Sequence, residues 1–117
     1  MEMGKEKLLR MYWRVVENIF KKYVDYTGSE MVKEGDYQFR IFSTEGEFVV
    51  KLVEIEGEDL VCVYKRVPNG WETVGCTLLR NWFDYGSIQE YNLILNVFGK
   101  HMTADLDERV KEFLSFE

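Results

Sequence analysis

The sequence predicts an α+β fold in which an N-terminal helix packs on a four-stranded antiparallel β-meander and two further helices follow. Three observations carry that prediction: a helical apolar period from Lys5 to Tyr26, an aromatic and β-branched stretch broken by turn signals from Tyr37 to Leu79, and a second helical pattern opening at Ser87. The 117 residues, 46% apolar and 31% charged, supply one core and are expected to form a single domain, 1–117.

The first helix is expected to end near Thr27. Leu8, Leu9, Tyr12, Trp13, Val16, Ile19, Phe20, Tyr23 and Val24 recur at three- and four-residue spacing, which makes one wide buried stripe. Glu6 with Arg10 and Glu17 with Lys21 are favourable i,i+4 pairs, and Gly28 stands where a left-handed cap is wanted. A polar connector is expected to follow.

Tyr37 to Ser43 and Glu47 to Ile55 read as strands around Thr44-Glu45-Gly46, and Leu60 to Val67 and Trp71 to Leu79 as strands around Pro68-Asn69-Gly70. Taking both loops as three residues long puts Arg66 opposite Glu72, Tyr64 opposite Val74 and Cys62 opposite Cys76. The core face is then Tyr37, Phe39, Ile41, Val49, Val53, Ile55, Leu60, Cys62, Tyr64, Val74, Cys76 and Leu78. The reverse face carries Phe42, Phe48, Val50, Leu52, Val61, Val63, Val67 and Trp71 among polar residues such as Arg40 and Thr77, and is too apolar for an ordinary solvated surface.

Ser87 and Glu90 have the spacing of a capping box before an apolar helix that ends at Gly99, and a short last helix is expected from Asp105. His101 suits the negative end of the second helix and has no spaced partner for catalysis. Glu54, Glu56, Glu58 and Asp59 lack the spacing of a calcium loop. Cys62 and Cys76, too few for a zinc set, stand close enough across the strands for a disulfide, but as small buried hydrophobes in a chain whose charged N-terminus suggests the reducing cytoplasm they are expected as reduced core thiols. No metal or cofactor is expected. In outline this order of elements is similar to cystatin and nuclear-transport-factor folds and, loosely, to small acidic secretion chaperones, with no shared motif.

Fifteen basic against 21 acidic residues leave a net charge of −6, which disfavours a nucleic-acid partner held through phosphates; no apolar stretch is long enough for a membrane span. The expectation is a non-catalytic protein-binding module, of the inhibitor, immunity or antitoxin-like, or export-chaperone kind. Its candidate anchors are Trp71, Trp82, Phe83 and Tyr85, with Arg40 and Arg80 as polar partners and Phe42 and Phe48 on the same apolar face. The acidic charge would steer it to a basic, nucleic-acid-handling protein, and a homodimer would use the same surface. The alternative is a small-molecule site or small enzyme with a pocket between helix one and the sheet, lined by Tyr12, Trp13, Tyr37 and Tyr64.

Overall fold

The computed structural model describes residues 2–83 and 88–99. Helix α1 (Glu2–Thr27) buries Trp13, Val16, Ile19, Phe20, Tyr23 and Val24, whereas Leu8 stays exposed and Tyr12 is only partly covered. Its end is a Schellman cap: Gly28 takes a φ of 72°, and the Ser29 amide donates to the Val24 carbonyl at 3.0 Å. Glu17 turns from the expected Lys21 and accepts from the Trp13 indole at 3.2 Å, with Lys33 3.8 Å away.

Five strands follow, one more than expected: β1 (Glu30–Gly35), β2 (Gln38–Ser43), β3 (Gly46–Ile55), β4 (Glu58–Val67) and β5 (Gly70–Leu78), each antiparallel to the next in chain order. The added strand is β1, where the sequence predicts a polar connector. It lies at the sheet edge, with only Met31 packed on the core and Glu30, Lys33 and Glu34 exposed, so its composition is that of a charged edge rather than a half-buried strand.

The β2–β3 turn is shorter than expected, and this changes which side is the core. Ser43 pairs with Gly46, leaving a two-residue Thr44-Glu45 loop, with Gly46 at a φ of 136°. A one-residue change of register moves every later side chain to the other face. Phe48 and Val50 of β3 and Val61 and Val63 of β4 therefore join Phe39 and Ile41 on an inner face, fully buried beneath the helices, with Leu52 partly buried beside them. Val49, Val53, Ile55, Leu60, Cys62, Tyr64, Cys76 and Leu78, expected inside, share the outer face instead. Most of the oily side read from the sequence is therefore the core itself, whereas its Phe42 and Trp71 lie on the outer face.

The β4–β5 hairpin also opens on two residues, Pro68-Asn69, with Val67 paired to Gly70. Arg66 then faces Trp71, Lys65 faces Glu72 and Tyr64 faces Thr73, not the expected Glu72 for Arg66 and Val74 for Tyr64. Val74 is an extra residue on β5, and the bulge it makes returns the ladder to the expected pairing of Cys62 with Cys76. Glu34 is a similar extra residue on β1, so both edge strands are bulged.

Helix α2 (Leu79–Phe83) continues from β5 and buries Leu79 and Trp82, three residues apart on one side. Helix α3 (Ile88–Phe98) adds Leu93, Ile94, Val97 and Phe98 to the same core, and Glu90, expected at a surface cap, is buried. A Cβ on Gly75 would lie 2.9 Å from the Leu93 side chain, so the absence of one lets α3 sit close on β5. At the other end of α3, the Ser43 hydroxyl donates to the Val97 carbonyl at 2.5 Å. Ser87, His101 and the expected last helix from Asp105 lie outside the described residues. Among the described residues no helix is long and apolar enough to cross a membrane.

Candidate functional site

Among the described residues the helices meet the sheet through its inner face, the core cluster draws its strand residues from that face, and the outer face presents side chains of the strands. The register arranges that face in rows. Glu30, Phe42, Glu47 and, across the β4–β5 ladder, Arg66 and Trp71 lie toward one end. Beside them run Val32, Arg40, Val49, Tyr64 and Thr73, and then Gln38, Lys51, Cys62 and Cys76.

Trp71 is the centre of the site. It follows the Gly70 turn on an edge strand, where no neighbouring strand covers it, and it remains 43% exposed. The Arg40 and Arg66 guanidinium carbons lie 5.5 and 5.6 Å from its ring centroid, so two cations stand against one indole. Arg40 is itself fixed by carboxylates: its Nε donates to Glu34 at 2.7 Å and its Nη1 to Glu47 in a short contact. Gln38 also donates to Glu34 at 3.0 Å, and Arg66 stands 3.9 Å from Glu47.

This network sets the charges. The Arg40 hydrogen bond, followed by that of Gln38, holds the Glu34 carboxyl below the usual carboxylate range. The hydrogen bonds from Arg40 to Glu34 and then Glu47 raise the guanidinium further above its already high value. Glu34 and Arg40 stay ionised at neutral pH, and the clamp around Trp71 stays assembled.

Next to the clamp is a depression of about 360 Å³ lined by Gln38, Arg40, Val49, Lys51, Tyr64 and Trp71. The Lys51 ammonium lies 5.4 Å from the Tyr64 ring centroid. Exposed Phe42 and Val32 extend the apolar surface, at 39% and 48% exposure. The face thus offers an indole, a phenol and a phenyl ring among oriented hydrogen-bonding groups, which suits recognition.

Of the residues singled out from the sequence, Trp71, Arg40 and Phe42 come together here. Trp82 does not: it is wholly buried, its ring centroid 5.4 Å from that of Phe20 and its indole nitrogen donating to Thr77 at 2.7 Å. The sequence reading placed it in a loop, whereas the chain enters α2 directly and turns it onto α1. Phe48 is likewise interior because of the shorter β2–β3 turn, packed in the core with the Lys65 ammonium 5.8 Å from its ring centroid. Arg80 pairs with Glu58 at 3.8 Å, at the opposite end of β4 from Arg66, roughly 26 Å along the strand. The side chain of Phe83 and all of Tyr85 lie outside the described residues.

The expected pocket between α1 and the sheet is not built from its four aromatics. Trp13 and Tyr37 pack edge to face at 6.2 Å beside the core, while Tyr64 projects from the other side of the sheet. The cysteines are also corrected: Cys62 and Cys76 form a disulfide between directly paired strand positions, with Cα atoms 4.1 Å apart.

Glu34, Glu47, Lys51 and Arg66 are not among the residues the sequence singles out, and Tyr64, singled out for the other side of the sheet, belongs here. Their signal was the two-residue spacing of Gln38, Arg40 and Phe42 and of Tyr64 and Arg66, which marks one strand face once the turn lengths are known. No family model matches the chain, and neither a curated protein nor a solved structure matches it.

Proposed function

We propose that this protein acts without catalysis, by docking another protein on the open face of its sheet around Trp71. One observation carries the reading: an exposed indole oriented by two arginines, with Phe42 and Val32 beside it, on a face turned away from the core. Aromatic and arginine side chains are those that most often dominate binding energy at interfaces, and an anchor already held in place loses little freedom on binding. The carboxylates that hold Arg40 make it a rigid part of the surface. The overall charge of −6 favours encounter with a basic partner, such as a nucleic-acid-handling protein that an inhibitor or neutraliser would occupy.

The test is affinity capture from native lysate with the wild type and with Trp71→Ala, followed by titration of the recovered protein. Trp71→Ala is expected to weaken binding by about 30-fold or more. Equal affinity for both forms would remove the site. A second copy of the chain is a competing occupant, and sedimentation that shows a dimer abolished by Trp71→Ala would assign the face to self-association. A small-molecule reading is favoured by the depression beside Tyr64, at the lower end of the size range of ligand pockets. Thermal stabilisation by a metabolite, lost in Tyr64→Ala, would support that reading instead.

A further inference from the structure

The disulfide is asymmetric in its surroundings. Cys62 is 1% exposed on the interior strand β4, whereas Cys76 is an exposed residue on the edge strand β5. Thiol–disulfide exchange requires a thiolate to approach one sulfur along the line of the sulfur–sulfur bond, from the side away from the leaving sulfur. Here the bridge runs across the strands. Continued beyond Cys76, that line leaves the sheet at the β5 edge; continued beyond Cys62, it runs over the outer face of β3, where Lys51 is the direct cross-strand neighbour. Attack is open at one sulfur and obstructed at the other. Lys51 also sets a cation on the strand position beside the leaving sulfur, and a nearby ammonium favours a thiolate.

We propose that Cys76 is a site of thiol exchange, taking low-molecular-weight thiols of the glutathione class at its outward sulfur while Cys62 leaves as the thiolate. In the first step the external thiolate bonds to the Cys76 sulfur, the Cys62–Cys76 bond breaks, and its electron pair goes to Cys62, which then takes a proton. In the second step another thiolate attacks the external sulfur of the mixed disulfide and releases the Cys76 thiolate with one molecule of oxidised external disulfide. The protein gains two electrons, and two external thiols lose one each. The strand ladder and the inner-face core do not depend on the bridge, so exchange proceeds in the folded protein. This inference stands independently of the docking surface.

The experiment exposes the intact protein to reduced glutathione, quenches with an alkylating reagent at intervals, and maps the adducts by mass spectrometry while circular dichroism follows the fold. The first adduct is expected on Cys76, formed with native secondary structure and faster than global unfolding. In oxidised glutathione, Cys62→Ser is expected to be modified at Cys76 about tenfold or more faster than Cys76→Ser is at Cys62. Adducts divided equally between the cysteines, adducts on Cys62 first, or opening no faster than unfolding would each overturn the assignment. The wild-type time course decides the matter even if a variant fails to fold.

Discussion

Trp71 and Trp82 put the same side chain in opposite settings, and their variants should separate cleanly. Trp82 fills the junction of α1 and α2 and gives its indole proton to Thr77, so Trp82→Ala leaves both a void and a buried hydroxyl without its donor. It is expected to cost about 3–5 kcal/mol in urea unfolding. Trp71→Ala is expected to change stability by about 1 kcal/mol, because its residue is 43% exposed on the sheet edge and its ring contacts are the guanidinium groups of Arg40 and Arg66. A loss at Trp71 as large as at Trp82 would mean that the outer face is covered. Glu34 carries the pH dependence of the clamp. Its carboxyl titrates lower in the folded chain than in the unfolded one, so the unfolded state binds more protons between the two values. Its contribution is present above the unfolded value of about 4.3 and is lost as pH falls through the lower folded value. Denaturant unfolding from pH 6 to pH 3 is expected to show a smaller acid-side loss in Glu34→Gln than in the wild type.

At the scale of elements, what was legible depended on periodicity, and what was missed depended on turn length. The apolar spacing of α1 and the glycine after it placed that helix and its end correctly, because a long amphipathic stripe averages over local ambiguity. β1 offered one inward apolar residue, Met31, which is too little to distinguish an edge strand from a polar loop. At Thr44-Glu45-Gly46 a two-residue and a three-residue turn are both chemically reasonable, and the choice decides the face of every later strand residue. The expected Cys62–Cys76 pairing survived because the shorter Pro68-Asn69 turn is offset by the bulge at Val74. Arg40 and Trp71 share one face of the sheet, as the sequence predicts, although the face predicted for their neighbours is inverted. The packing of α3 on β5 can be tested at Gly75, where Gly75→Val drives a branched side chain toward Leu93. It is expected to cost about 1–3 kcal/mol, and much of this should be recovered by Leu93→Ala in the same chain if the clash is the cause.

For the whole molecule, the disulfide constrains the unfolded chain more than it organises the folded one. The cysteines are 14 residues apart, so replacing both with serine is expected to lower stability by about 3 kcal/mol in the chain-entropy description. Urea unfolding of the double variant should also have a steeper denaturant dependence, since its unfolded state exposes more surface. A further property follows from the extra residues Glu34 and Val74. Each interrupts the regular row of backbone donors and acceptors along one margin of the sheet, and a row so interrupted is a poor template for a strand from another molecule. Growth of the kind that builds fibrils, strand added to strand, is therefore discouraged at both ends. The protein can keep an aromatic face open to solvent without making its own sheet a seed for polymerisation.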